Sequence, residues 1–234
     1  MNERLTRRRV LGWLGGLGLA VFLPGCADDE SDGSAAGTTA RQPATTATTA
    51  SPDCLLTPEV TEGPYYLDLD LVRSDITEGR PGMPFDLVVK VVDADGCKPI
   101  KDAAVDIWHC DAGGAYSGVE GETGSTFLRG IQVTDASGDA TFRTIFPGWY
   151  TGRAVHIHLK VLLGGSETFT GQLFFDDDVL DAVYKTEPYD ARGAPDTTNE
   201  RDGIYGQSGG TTIVDVTRGA DSYSGSVSLG VERV

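Results

Sequence analysis

An all-β fold is what this sequence predicts, and three observations predict it. Short runs of β-branched and aromatic residues recur between residues 84 and 231, several with apolar and polar side chains alternating. Turns rich in glycine and aspartate separate them, and 31 of the 234 residues are glycine. Only residues 177–185 carry a helical pattern. Many short strands, tight turns and little helix imply a β-sandwich of mostly antiparallel strands with long loops, ahead of an all-β barrel.

The first strand is expected at 84–92. It ends in Asp93-Ala94-Asp95-Gly96, and Asp-Gly after a β-rich run predicts a hairpin. Cys97 opens the return, whose strand is 103–109. Further strands are expected at 130–134, 140–145, 156–163, 168–175, 211–216 and 226–231, with turns at 135–139 and 164–166.

Residues 1–26 read as an address. Thr6-Arg7-Arg8-Arg9-Val10-Leu11 resembles a twin-arginine export signal, followed by a short apolar stretch. Leu23-Pro24-Gly25-Cys26 resembles a lipobox, which would make Cys26 the site of a lipid anchor, and the protein is expected to be exported as a cell-surface or periplasmic lipoprotein, or to be secreted. The apolar run is shorter than the ~20 residues a bilayer-spanning helix needs. Residues 27–52, rich in Thr, Ala, Ser and Gly, read as a flexible tether. Residues 53–234 are long enough for one folded domain.

A formal net charge of −16 argues against nucleic acid as a partner, since phosphate binding needs a basic surface. Beyond Cys26 there are three cysteines, Cys54, Cys97 and Cys110. In an oxidising compartment an odd count implies one disulfide and one free thiol. The expected hairpin puts Cys97 and Cys110 at opposite sheet ends, so Cys54 is one partner and either of the others is the second.

The chain has three histidines, and two stand together as His156-x-His158. They alternate with Val155, Ile157 and Leu159, so both point to one strand face, roughly 6–7 Å apart along it, within reach of one metal ion. Pro147-Gly148 breaks the chain upstream and leaves Tyr150 and Arg153 on a loop leading into that strand. Elsewhere, Thr61-Glu62-Gly63-Pro64-Tyr65-Tyr66 sets two tyrosines behind a Gly-Pro break. Trp108-His109 leaves a strand into a glycine-rich loop bearing Tyr116-Ser117, and Arg129-Gly130 enters the next strand. Trp108 is expected in the core, and His109, on the opposite face, in a structural role.

The ordered set Gly63-Pro64-Tyr65, Trp108-His109, Tyr116-Ser117, Arg129-Gly130, Pro147-Gly148-x-Tyr150 and Arg153-x-x-His156-x-His158 resembles the intradiol ring-cleavage dioxygenases, which include catechol 1,2- and protocatechuate 3,4-dioxygenases. The resemblance implies an iron(III) cofactor, Fe(III), held by Tyr116, Tyr150, His156 and His158. Tyr150 would be the axial ligand that substrate displaces. It further implies that Arg153 stabilises negative charge developing on the substrate, with Gln172 on the following strand supporting it. Tyr65 or Tyr66 would line the substrate pocket. The partners implied are a small aromatic diol and O2, and the product a muconate-type diacid from cleavage between the hydroxyl-bearing carbons. The chemistry of the residues agrees. A phenol with a pKa of about 10 ionises at neutral pH only against a strong Lewis acid, and hard anionic oxygen suits iron(III).

Catechol 1,2-dioxygenases of that family carry a helical N-terminal domain used for dimerisation. Here the signal and tether occupy that place. Arg73, Arg129 and Lys160 are candidates to meet a carboxylate on the substrate ring. Residues 187–205 are expected to cover or border the pocket. Two alternatives stand beside the dioxygenase: a zinc hydrolase built on His156, His158 and a carboxylate, and a non-catalytic, metal-binding or surface binding module.

Overall fold

Eight strands form where apolar and polar side chains alternate: β1 (Pro84–Asp93), β2 (Ala104–Trp108), β3 (Arg129–Val133), β4 (Asp139–Ile145), β5 (His156–Leu163), β6 (Ser166–Phe174), β7 (Asp215–Arg218) and β8 (Tyr223–Val231). The computed structural model describes residues 54–233 apart from Glu120. The export signal, the lipobox cysteine and the tether expected at 1–52 lie outside the described residues. Among the described residues, no helix is long and apolar enough to cross a membrane.

The strands make two four-stranded sheets, in the orders β4-β1-β8-β7 and β3-β2-β5-β6. Among the described strands, only the β1–β8 pair is parallel, and the other strand pairs are antiparallel. The expected β-sandwich is what forms. Its core is made by the inward rows of both sheets, including Phe85, Leu87, Val89 and Val91 of β1, Val105 and Ile107 of β2, and Ile157, Leu159 and Val161 of β5. These side chains are essentially inaccessible to water, and each contributes about 1.5–3 kcal/mol of burial.

The hairpin expected between the first two strands does not form. After Asp93 the chain turns back only as far as a bridge between Val92 and Pro99, then crosses to the other sheet, where β2 pairs with β3 and β5. The turn itself is satisfied locally: the N–H groups of Gly96 and Cys97 donate to the Asp93 carbonyl. Cys97 pairs with Cys54, and Cys110 is free and buried.

Helix is more extensive than the single expected run. α1 (Asp177–Val183) lies in that run, but α2 (Gly203–Ser208) follows it, with 3-10 turns at Asp190–Arg192 and Asn199–Arg201. α2 has two glycines in six residues, a composition that disfavours helix. It is started by Asp202, whose carboxylate accepts from the N–H groups of Ile204 and Tyr205. The strand expected at 211–216 is displaced. Ile213 makes an isolated bridge to Phe174, and the regular strand begins at Asp215.

β5 alternates in sequence but not in burial, for all of His156–Val161 is buried. Its apolar row faces the core. Its polar row, His156, His158 and Lys160, lies beneath the segment preceding β1. Val60 N–H donates to the Thr170 carbonyl, and Ile131 N–H to the Leu71 carbonyl, so that segment is laced across the outer face.

Candidate functional site

His156 and His158 share this covered outer face, and the register sets their neighbours. His158 stands opposite Trp108 on β2 and opposite Gln172 on β6. The two imidazoles meet with Nε2 atoms 3.0 Å apart, and Tyr150 Oη lies 2.9 Å from His156 Nε2. His156 Nδ1 donates to the Ala154 carbonyl at 2.6 Å. That hydrogen bond places the proton on Nδ1 and leaves the Nε2 lone pair facing Tyr150 and His158.

Both histidines are buried, and both are held neutral. Burial drives the pKa of His156 down to about 3, with Arg153 pushing the same way. Burial and the neighbouring His156 drive His158 well below the usual imidazole range.

Tyr116 completes the cluster. Its ring meets those of Tyr150 and His158 edge-on, with centroids 5.9 and 6.0 Å away, and its buried Oη has no hydrogen-bond partner. A buried hydroxyl without a partner is costly, which marks it as an oxygen awaiting one. Burial raises the phenols of Tyr116 and Tyr150 alike, so without a nearby Lewis acid both stay protonated.

The two tyrosines come from loops that are fastened together. Asp111 folds the first loop by accepting from the N–H groups of Gly113 and Ala115. Gly148 N–H, in the second, donates to the Asp111 carbonyl at 3.1 Å, and Cys110 Sγ donates to the Gly148 carbonyl. A Cβ at Gly148 would run into the carbonyl oxygens of Asp111 and Ala112, so the Pro147-Gly148 break is what lets the loops close up. Arg129 ties down the residue after Tyr116, donating from Nε to Ser117 Oγ at 2.9 Å and from Nη2 to its carbonyl at 2.8 Å.

Arg153 and Gln172 are brought together beside these groups. Arg153 Nη2 donates to Gln172 Oε1 at 2.6 Å, and Gln172 Nε2 donates to the Thr61 carbonyl at 2.8 Å. Gln172 thus joins the arginine to the covering segment. Of the two adjacent tyrosines, Tyr65 is the one at the cluster, with its ring 4.6 Å from that of Tyr116. Tyr66 packs on Trp108 at 4.9 Å and under Lys160 Nζ at 4.1 Å, one row away.

Trp108 is buried in an apolar core cluster, as expected, and that cluster lies at the site, apart from the main cluster between the sheets. It stacks on His158, with centroids 5.1 Å apart and planes 6° from parallel, and forms an apolar wall with Cys110 and Tyr116. His109 has the structural place expected of it, fully buried between the Cys110 carbonyl and Thr144 Oγ1.

The three cations proposed for a substrate carboxylate are all engaged elsewhere. Arg73 pairs with Glu78 at 2.6 Å, and Lys160 with Glu62 and Glu167 at 2.6 and 2.7 Å. Arg129 is spent on Ser117. Residues 187–205 border the site by gripping the loop that carries Tyr150. Arg192 Nη1 donates to the Trp149 carbonyl, Asp196 accepts from Gly152 N–H, and Asp202 accepts from Arg153. Asp202 is the neighbour that sequence reasoning missed. Its only local signal was that of a helix N-cap.

The cluster offers two neutral imidazole nitrogens and two phenol oxygens, one of them unpartnered. A separation of 3.0 Å between the imidazole nitrogens is what two cis ligands at about 2 Å from a single ion would have. This donor set fits a hard trivalent iron.

Comparison with known proteins agrees. A family model described as "Dioxygenase" matches residues 58–185. An intradiol ring-cleavage dioxygenase structure from Tetranychus urticae is 37% identical, covers 76% of this chain and 95% of its own, and superposes with a TM-score of 0.73. Among curated proteins, a chlorocatechol 1,2-dioxygenase of Pseudomonas putida is 28% identical over 52% of this chain and 57% of its own length. A catechol 1,2-dioxygenase of Acinetobacter baylyi is 30% identical over 56% of this chain and 55% of its own. The chain spans about half the length of the curated relatives it matches.

Proposed function

This chain belongs to the intradiol ring-cleavage dioxygenase family, and on that premise we propose that it is a non-haem iron(III) dioxygenase that opens the ring of a catechol between its hydroxyl-bearing carbons with O2, giving a muconate-type diacid. One observation carries the reading: Tyr150 Oη and His158 Nε2 each lie within 3.0 Å of His156 Nε2, with the unpartnered Oη of Tyr116 in the same buried cluster.

Tyr116, Tyr150, His156 and His158 would hold the metal. When bound, iron(III) supplies Lewis acidity toward phenolate and catecholate oxygens and redox capacity toward O2. The protein's own groups do the rest. Tyr150 Oη, on a half-buried loop, would be ionised when the metal is bound and would then be the base placed to take a proton from an incoming catechol hydroxyl. The guanidinium of Arg153 offers N–H donors to negative charge developing on the ring oxygens. Gln172 fixes that guanidinium and anchors the covering segment. Tyr65 walls the ring, and the stacked pair of Trp108 and His158 closes the apolar side and excludes water. The reading includes export of the folded domain, on the twin-arginine and lipobox patterns within residues 1–26.

A zinc hydrolase on the same histidines would need a carboxylate as third ligand. Among the described residues no group of three His, Cys, Asp or Glu is placed to hold a metal. The nearby Asp202 carboxylate is already taken up by Arg153 and by backbone N–H groups. The deciding experiment is the visible spectrum of the purified protein, before and after catechol is added without oxygen. A red-brown tyrosinate-to-iron(III) band that shifts on addition is expected. A protein that stays colourless after iron(III) reconstitution would overturn the reading in favour of the zinc enzyme or a binding module.

A further inference from the structure

Arg153 is held from two sides, and the second side lies in a part of the chain with no assigned role. Asp202 Oδ2 accepts from Arg153 Nε at 2.8 Å, opposite the bond from Nη2 to Gln172. The same Oδ2 accepts from the N–H of Ala154 at 2.8 Å, and it is the carbonyl of Ala154 that takes the proton of His156 Nδ1. Asp202 Oδ1 accepts from Ile204 N–H at 2.7 Å and from Tyr205 N–H at 3.2 Å. The Asp202 side chain is 1% exposed, against 21% for Arg153.

A helix cap does not explain this residue. Capping α2 uses Oδ1 alone, and Ser or Asn would do it as well. The other oxygen, buried and facing two N–H donors, serves Arg153 and the residue that orients His156. A guanidinium pinned at both Nε and Nη2 keeps one orientation, whereas one bonded at Nη2 alone would sample several rotamers.

We propose that Asp202 is a positioning residue for the ring-cleavage reaction: it fixes the guanidinium of Arg153 beside the candidate metal ligands. This rests on the function proposed above. Asp202 touches neither metal nor substrate, so its effect passes through Arg153.

The test is a double-mutant cycle on the iron-loaded, full-length protein. Asp202→Asn retains a good cap but sets an N–H2 group against Arg153 Nε and Ala154 N–H. Its expected effect is a kcat lowered by about 10–100-fold, with KM for catechol and iron content per chain within about threefold of wild type. In an Arg153→Ala background the same substitution should change kcat by less than about threefold. Asp202→Ser, a second variant able to cap, should behave alike, and melting temperatures are recorded for both.

A folded, iron-loaded Asp202→Asn enzyme with unchanged kcat would overturn the proposal. So would effects of the two substitutions that simply multiply, or failure of both Asp202 variants to fold, which would make the residue structural only. Wild-type protein that binds iron yet consumes no O2 with any catechol is a different result. It removes the functional reading itself.

Discussion

His156 and His158 present their Nε2 atoms to one another at 3.0 Å, but they are oriented by different means. His156 is fixed by a hydrogen bond from Nδ1 to the Ala154 carbonyl, whereas His158 Nδ1 is buried with no partner. Apart from its contact with His156 Nε2, His158 is oriented by packing, with Trp108 stacked on its face and Gly63 against its edge. One imidazole is therefore set by the backbone just before its own strand, and the other by Trp108 of the neighbouring strand and by Gly63, nearly a hundred residues earlier in the chain.

Replacing either histidine with alanine removes one of two neutral nitrogen donors from a buried cluster. His156→Ala and His158→Ala are expected to lower iron affinity by at least about tenfold and to abolish the visible band, while the β-sandwich still folds. Iron per chain by mass spectrometry, read with circular dichroism, checks this. Full iron content in both variants would refute a shared site.

Gly63 lies in the left-handed region, at φ +74°, and a Cβ there would stand 3.0 Å from His158 Cε1. Gly63→Ala therefore combines backbone strain of about 1–2 kcal/mol with a push on an imidazole whose Nδ1 has no hydrogen-bond partner among the described residues. The expected outcome is a lower melting temperature together with weaker iron binding. Gly79, at φ +73° with nothing near its Cβ, is the control: Gly79→Ala should lower stability without touching iron affinity.

Asp106 is buried on the same sheet face, one row along from Trp108, and burial raises its carboxyl pKa to about 7, opposed by a hydrogen bond with Tyr66 and by Arg129. The folded chain thus keeps this proton after the unfolded chain, titrating near 4, has lost it. Stability contributed by Asp106 falls as pH rises from about 4 to about 7, and above that the deficit is complete, on the order of a few kcal/mol. Asp106→Asn removes the titration. Its melting temperature should match wild type near pH 4 and exceed it near pH 8, as differential scanning fluorimetry across pH would show.

The strand set and the site were legible for the same reason. Alternation marks β5 to the residue, and within that alternation His156 and His158 stand out because the chain has so few histidines. What alternation cannot carry is which sheet a strand joins. β1 ends in a good hairpin turn, yet its partners are β4 and β8, because the turn is satisfied by the short return to Pro99. Trp108 reads correctly as core, but an apolar residue on a strand announces burial and not which cluster buries it. α2 was hidden by its glycines, and with it the cap at Asp202, whose pairing with Arg153 spans 49 residues and leaves no local pattern.

The engagement of Arg73, Arg129 and Lys160 bears on which diol is accepted. A carboxylate on the ring would enter a partly buried site and lose hydration, which only an available cation could offset. Arg73 is committed to Glu78, Lys160 to Glu62 and Glu167, and Arg129 to Ser117. Catechol is therefore expected to exceed 3,4-dihydroxybenzoate in kcat/KM by at least about tenfold, equivalent to about 1.4 kcal/mol of transition-state binding. Lys160 also supplies a counter-test, since it lies two residues beyond His158 on the same face of β5. Removing its partners by Glu62→Gln with Glu167→Gln frees a buried ammonium one row from the candidate ligands, and the preference for catechol should narrow. Oxygen-uptake rates on both diols, for wild type and the double variant, decide it. A wild type that favours the carboxylated diol would mean that a cation outside these three meets the substrate.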